Sequence, residues 1–484
     1  MTNELTYLYD TYRHPSKSMD TIKTYVTKEN VNSFEHSRLT PFMQACLAGH
    51  VEGVEYMLSL GANPHLTKDE KLTTVELVVS NSRHDINKSD KDVLHILKIL
   101  IEQHNCEVEI SYTTWKRPLL YYACYGQYYE TIKYLISKYK FDTSCNYFKG
   151  LLRYNSLDIN TGLHLVKSRC CFSDKHENYF NENVCIKIID VLWGTYIVDS
   201  QFDSECCVSK RMLTPLMLAC FFGFTNLVKY LVEVKQCNPH QVDNYNSSCL
   251  TYAIAGKKYD TICYMIDKCK CNLYNTDKYG MNCFNMIWYF EYEASIDLII
   301  RLVTKFVESG FIIKLENLQM FVNYNKLYEF PQIGLELFIY IVEHATLSQT
   351  DLNNLLITVA HDYKRNLVQV RYLVELECAS VTYVNDKGYT CVSNCYDEEI
   401  LDYLFERGAD IDSCIDSFVS ICYNSESTNM IRFYVDHGIN LNLSGHYYNS
   451  MLAPLEAINK NHRVPSELKE YMVEQHKRKI PKLL

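Results

Sequence analysis

The chain has 484 residues, 47% of them hydrophobic, which is ample for a packed core and excludes wholesale disorder. Its formal net charge of −10, from 48 Lys and Arg against 58 Asp and Glu, argues against general nucleic-acid binding, which needs a basic surface to neutralise phosphates. Only 16 Gly and 10 Pro are present, few for a turn-rich glycine-loop enzyme, while Tyr reaches 40.

The opening stretch, Met1 to Tyr7, has neither a basic nor an apolar segment of the kind a signal peptide carries. No stretch approaches the ~18 uninterrupted apolar residues of a spanning helix; even Asp297 to Val303 is cut by charges. A soluble intracellular protein of the cytoplasm, with no membrane partner, is expected.

Along the chain one pattern recurs: an apolar residue, a spacer, an anchor that is usually Tyr, then two apolar residues. It begins weakly around Thr24 and is clear at Val54-Glu55-Tyr56-Met57-Leu58. Leu97 to Ile101, Ile132-Lys133-Tyr134-Leu135-Ile136 and Ile189 to Trp193 follow. Val228-Lys229-Tyr230-Leu231-Val232 and Ile262-Cys263-Tyr264-Met265-Ile266 are again clear. Ile299 to Val303, Phe338 to Val342, Val370 to Val374, Leu401 to Phe405, Ile431 to Val435 and Lys469 to Val473 complete the series. The thirteen anchors, Thr24 to Tyr471, have a mean spacing of about 37 residues, the signature of a repeat array. The longest gap, from Tyr134 to Val191, predicts an insertion.

Four anchors have an Ala eleven residues upstream: Ala45, Ala123, Ala219 and Ala253. A fixed spacing of that kind predicts one helix–turn–helix geometry used repeatedly. Thr40 and Thr214 suit helix N-caps, and Pro41 and Pro215 suit the first helical position, where no amide donor is needed. The alanines allow close helix approach. Gly49 and Gly223 suit a left-handed turn between helices, and Gly61, Gly408 and Gly438, each five residues after an anchor, suit the end of the second helix. Asn63-Pro64 and Asn238-Pro239 then predict extended or turning segments. No unit of this kind buries its apolar face alone, so stacking must supply the core.

Leu39-Thr40-Pro41-Phe42-Met43-Gln44-Ala45-Cys46-Leu47-Ala48-Gly49-His50 and Leu213-Thr214-Pro215-Leu216-Met217-Leu218-Ala219-Cys220-Phe221-Phe222-Gly223 resemble the ankyrin-repeat signature Thr-Pro-Leu-His-x-Ala-Ala-x-x-Gly-His. Met43 and Met217 stand in place of the family's His, so its Thr–His hydrogen bond is expected to be absent. The resemblance implies an all-α solenoid of stacked helix-turn-helix units with short β-hairpin-like loops. It divides the chain into a degenerate N-terminal cap (1–36), repeats (37–142), a degenerate repeat with an insertion (143–212), well-formed repeats (213–276), divergent repeats (277–450) and a C-terminal cap with a basic tail (451–484). The Tyr-, Asn- and Lys-rich composition also resembles the ankyrin proteins of large DNA viruses of amoebae, which would place the chain in a host-cell cytoplasm.

The anchor register puts Tyr on a packed face, so its ring is expected between repeats and its hydroxyl in solvent. The 21 Cys read as thiols used as small buried hydrophobes in a reducing compartment. Cys170-Cys171, Cys206-Cys207 and Cys269/Cys271 lack the repeated knuckle spacing of a zinc site. His164, Cys170, Cys171 and His176 share the 143–183 insertion and are the best metal candidate, though a plain loop explains them better. Neither phosphate-binding glycine loops, H-E-x-x-H nor G-x-S-x-G occurs. The reading is therefore a non-enzymatic protein with no cofactor and no bound metal.

Near the C-terminus, Val464-Pro465-Ser466-Glu467-Leu468 resembles the opening of an F-box, which would make the chain an adaptor for a host ubiquitin ligase. Pro465 at the start of a last outer helix explains the same letters. The basic run His476 to Lys482 reads as a solvated tail at a helix C-terminus.

In ankyrin folds the concave groove of inner helices and hairpin tips is the usual binding surface. The resemblance carries that role to Leu47-Ala48 and Phe221-Phe222, the positions before the inter-helix Gly, and to Tyr125. Lys210 and Arg211 fall at a neighbouring hairpin tip. The expectation is a monomer that binds one protein partner there, with Phe221 and Phe222 as an exposed aromatic pair.

Overall fold

In the computed structural model the described residues are 19–34, 39–67, 73–80, 88–110, 118–143, 147, 181–195, 197, 202–203, 212–289, 296–324, 331–361, 366–424, 428–447 and 450–479. They form two compact units that divide between Asn272 and Leu273.

The first unit is a double layer of antiparallel helix pairs. Outer helices α1 (Met19–Tyr25), α3 (Val51–Ser59), α5 (Asp90–Lys98), α7 (Tyr129–Lys138), α8 (Glu182–Leu192), α10 (Thr225–Glu233) and α12 (Tyr259–Asp267) pack one on the next. Helix α5 runs on into a π turn, Ile99–Gln103. Inner helices α2 (Pro41–Ala48), α4 (Thr74–Val79) and α6 (Leu119–Gly126) form one stack; α9 (Pro215–Phe222) and α11 (Cys249–Ala255) form another. Two short strands, β1 (Phe202–Asp203) and β2 (Met212–Leu213), pair antiparallel ahead of α9.

Local chemistry explains why these pieces are helices. The Thr40 and Thr214 hydroxyls each accept the amide of the residue three further on, at 3.2 Å, and Pro41 and Pro215 open the helices. The missing His of the motif has a substitute in α9: the Thr214 amide donates to the Met217 sulfur at 3.4 Å. Gly49 (φ 72) and Gly223 (φ 68) make the left-handed turn that reverses the chain. After α6 the left-handed residue is Gln127 (φ 58), not Gly126. Its side-chain oxygen accepts the Asn181 amide at 2.9 Å.

Helix α4 ends differently. Ser80 is extended, and the Lys88 ammonium donates to the carbonyls of Leu77, Val78 and Ser80 at 3.1, 2.9 and 2.6 Å. A buried amine thus does the work a left-handed turn does elsewhere, closing three of the carbonyls a helix end leaves open.

The second unit repeats the double layer with less regular parts. Inner helices are α13 (Cys283–Tyr289), α15 (Leu315–Tyr324), α17 (Gln349–Ala360), α20 (Ile415–Asn424, entered through a 3₁₀ turn, Ile411–Cys414) and α22 (Pro454–Lys460). Outer helices are α14 (Ile296–Glu308), α16 (Pro331–Glu343), α18 (Leu367–Glu375), α19 (Glu398–Glu406), α21 (Thr428–Asp436) and α23 (Ser466–Lys479). A hairpin, β3 (Gly445–Tyr447) with β4 (Ser450–Leu452), precedes α22. Where the sequence lacks the small-residue motif, aromatics fill the core: Phe284 stacks on Phe311 at 4.9 Å, and Trp288 meets Phe321 edge-on at 4.8 Å.

Before α19 the inner helix is reduced to turns over 391–394. The chain runs thirteen residues from Thr390 to Tyr403, against sixteen from Thr40 to Tyr56, so about one turn is missing. Side chains replace the lost helical bonds. Cys414 Sγ donates to the Val392 carbonyl at 3.3 Å, the Ser417 hydroxyl to that of Ser393, and the Tyr434 hydroxyl to that of Cys395 at 3.2 Å.

Of the sixteen described cysteines, all are free thiols and fourteen are buried. Cys269 and Cys271 lie in the core, where Cys220 and Cys249 also sit, and burial pushes the Cys220 thiol well above its ordinary range. Among the described residues no three His, Cys, Asp or Glu side chains converge as a metal site would require. His164, Cys170, Cys171, His176, Cys206 and Cys207 lie outside the described residues.

Candidate functional site

The ends of the inner helices carry the residues singled out in the sequence. The left-handed residue fixes the register: Leu47, Tyr125 and Phe221 each stand two positions before Gly49, Gln127 and Gly223. All three are half-buried, each keeping part of its surface accessible. Ala48, Gly126 and Phe222 occupy the next position. The close fit behind this row is visible at Gly256, where a Cβ would come within 1.8 Å of the Phe221 carbonyl oxygen. Backbone passes over backbone there, and only glycine permits it.

The expected exposed pair Phe221-Phe222 is half right. Phe222 is only 8% exposed, stacked on Phe224 at 5.8 Å with Phe221 edge-on to it at 5.4 Å. Phe224 precedes the outer helix, so Phe222 fills the angle between the two helices of its own repeat. Phe221 alone of the pair keeps accessible surface. Lys210 and Arg211 lie outside the described residues. Nearby hairpin tips are shaped by their own side chains: Asp243 Oδ1 accepts the amides of Tyr245 and Ser247 at 2.9 and 2.7 Å.

The tyrosine expectation needs a larger correction. Five of the anchor hydroxyls donate to carboxylates of the preceding outer helix, while Tyr372 donates to Glu377 of its own repeat and Tyr56 to the Val26 carbonyl. Tyr134 bonds Glu102 at 3.0 Å, Tyr264 bonds Glu233 at 2.9 Å and Tyr403 bonds Glu375 at 3.0 Å. Tyr230 bonds Asp190 and Tyr471 bonds Asp436 in the same way. Each carboxylate sits three residues after, or one before, an anchor; these positions are one helical turn apart and share a face.

Three of these rungs add a cation four or five residues after the Tyr. Lys138 reaches Glu102 at 2.5 Å, Lys235 reaches Asp190 at 2.8 Å, and Arg407 reaches Glu375 at 2.8 Å. Each cation also lies 4.9 to 5.5 Å from the centre of its own Tyr ring. His437 takes the equivalent place toward Asp402 at 2.7 Å. Hydrogen bonds from Lys138 and Tyr134 hold the Glu102 carboxyl below its ordinary range. Burial works the other way at Asp190, yet the bonds from Lys235 and Tyr230 prevail and lower it too. Burial first, then the carboxylate bond, raises the Tyr134, Tyr230 and Tyr264 phenols.

A second set of carboxylates works at the opposite ends of the outer helices. Asp90 accepts the amides of Glu130 and Thr131 at 2.6 and 3.1 Å, and Glu182 accepts the Leu227 amide at 2.9 Å. Each first-turn acid thereby caps the next outer helix, where the dipole favours negative charge. The pairing of Tyr in one repeat with an acid in the previous one was present in the sequence as a recurring offset. Reading each repeat separately hides it.

The comparisons with known proteins concern the repeats themselves. A family model for ankyrin repeats in three copies matches residues 187–277, and a single ankyrin-repeat model matches residues 37–69. The crystal structure of the human ASB11 ankyrin repeat domain is similar at 12% sequence identity, over 54% of this chain and 98% of that one, with a TM-score of 0.30. No curated protein matches in sequence. The chain carries ankyrin repeats in these two stretches, within an all-α repeat fold.

Proposed function

We propose that this is a non-enzymatic scaffold that captures a protein partner on the concave side of its repeats. The observation that supports it is the row Leu47, Tyr125 and Phe221: apolar side chains in one register, each still partly accessible. Stacking does not require rings there, and partly exposed aromatics are common anchors of protein interfaces. A monomer working inside the cell is part of the reading. The set of buried free thiols supports the intracellular part of it.

The test is affinity purification with mass spectrometry, comparing wild type with Phe221→Ser/Tyr125→Ser, folding being checked by circular dichroism. Phe222 is left alone because it is core. A partner lost by the folded variant supports the concave face; a partner set unchanged by the variant overturns it.

The ligase-adaptor reading is weaker. Leu468 and Met472 are buried, and α23 packs on α21 and α22, so the apolar letters of the F-box-like stretch are used inside the fold. It would have to act through exposed Pro465, Glu467 and Glu470. Retained ligase association after reversing both glutamate charges would dismiss it.

A further inference from the structure

The outer seam between α10 and α12 lacks two devices found at its neighbours, and a groove opens there. At the seam before it, Glu182 caps α10 and Lys235 completes the Asp190–Tyr230 rung. At the α10–α12 seam the first-turn acid is replaced by Thr225, whose hydroxyl meets that of Thr261 at 2.7 Å. The residue five after the anchor is Cys269, buried, where the previous repeat has Lys235. Glu233 holds the Tyr264 hydroxyl at 2.9 Å, and among the described residues no lysine or arginine pairs with it. Lys229 lies 5.9 Å from the centre of the Tyr264 ring, the place Arg371 takes at Tyr403, where Arg407 still adds the second cation.

The groove has a volume of about 830 Å³ and is lined by Thr225, Lys229, Glu233, Asp260, Tyr264 and Lys268, with Glu182 and Asp267 at its sides. Four carboxylates and two ammonium groups leave it net acidic. We propose that this groove receives an arginine-bearing segment of a partner protein, whose guanidinium completes the Glu233–Tyr264 rung from outside. The match is the chain's own: at the equivalent rungs a cation meets both the carboxylate and the Tyr ring. A planar guanidinium suits both contacts, donating to the carboxylate and lying on the ring, as Arg407 does on Tyr403. One end of the groove reaches Gly223, but Glu233 and Tyr264 lie on the outer helices, so substitutions at that rung test this surface without touching Leu47, Tyr125 or Phe221.

Binding of a fluorescein-labelled Gly-Arg-Gly-Arg-Gly peptide to the full chain tests it by anisotropy at near-physiological salt. The control peptide carries citrulline, uncharged but of the same shape. Glu233→Gln keeps an acceptor for Tyr264 and removes the charge; Cys269→Lys supplies the cation from within. Asp297→Asn, at an exposed residue that does not line the groove, changes net charge equally. The expected result is saturable binding of the arginine peptide alone, weakened about tenfold or more by Glu233→Gln and Cys269→Lys and unchanged by Asp297→Asn. Equal weakening by all three, equal binding of the citrulline peptide, or no saturable binding up to about 1 mM would overturn it. Should Cys269→Lys not fold, Glu233→Gln and Asp297→Asn still decide.

Discussion

Two neighbouring seams share an apolar layer and differ at their edges. Between α8 and α10, Asp190, Tyr230 and Lys235 close one end and Glu182 closes the other. Between α10 and α12 the described polar contacts are the Tyr264–Glu233 bond, a pair of threonine hydroxyls and Lys229 over the Tyr264 ring. Both seams hold, which assigns the bulk of repeat cohesion to the apolar side chains beneath. Exposed rungs of this sort contribute only about 0–1 kcal/mol each. What they add is register: a carboxylate that must meet a Tyr and a cation at once fixes how far one helix slides along the next.

The largest effect should therefore come from beneath. Leu231 in α10 is fully buried, and α10 packs on α8, α9 and α12, so Leu231→Ala should cost about 2–5 kcal/mol. A urea titration followed by circular dichroism reads it. If both seams instead depended on their rungs, this substitution would cost less than Lys235→Met.

A second effect separates two lysines with opposite shifts. Burial lowers the Lys88 pKa from 10.5 to about 7. Burial also disfavours the Lys235 ammonium, but the bonds to Asp190 and Tyr230 outweigh it and raise its pKa. Between pH 7 and 10.5 the unfolded chain keeps a proton on Lys88 that the native chain has released, so the Lys88 contribution to stability rises with pH across that window. The gain amounts to a few kcal/mol, at about 1.36 kcal/mol per pKa unit. Lys235 does the reverse: its contribution is complete below the unfolded value of 10.5 and is lost as pH rises through its higher folded value. Chemical denaturation at pH 7 and pH 8.5 should show the stability difference between wild type and Lys88→Met growing with pH, and that between wild type and Lys235→Met staying constant. A difference between wild type and Lys88→Met that does not grow between pH 7 and pH 8.5 would contradict the Lys88 assignment.

The legible parts of this molecule are those written within one repeat. Thr40, Pro41, Ala45 and Gly49 specify a capped helix, a close approach and a left-handed turn with no help from other repeats, and the same letters recur from Thr214 to Gly223. What depended on residues outside the inner helix and its turn was harder to read. Phe222 looked exposed because its partner Phe224 belongs to the next helix. The tyrosine hydroxyls looked solvated because their acceptors lie 28 to 40 residues upstream. Lys88 could not be recognised as a helix cap, since it stands eight residues beyond the Ser80 carbonyl it closes. The missing inner turn before α19 was visible as a three-residue deficit, but the Cys414, Ser417 and Tyr434 bonds that make it tolerable come from the following repeat.

The smallest effect is the most direct trial of the seam comparison. Tyr264→Phe should cost about 0.5–1.5 kcal/mol, the value of one hydrogen bond, because nothing else holds Glu233 to α12. Tyr230→Phe should cost less, since Lys235 still holds Asp190 at 2.8 Å. Exchanging the two edge residues, as Lys235→Cys with Cys269→Lys, should invert the order: Tyr230 becomes the sole tie at its seam and Tyr264 the redundant one. Paired thermal melts of the four single and exchanged backgrounds measure the inversion as a coupling between positions about 34 residues apart in sequence but equivalent in the repeat. An order that does not invert would mean that the cation's position in the repeat is incidental, and that the register at each seam is set by the apolar layer alone.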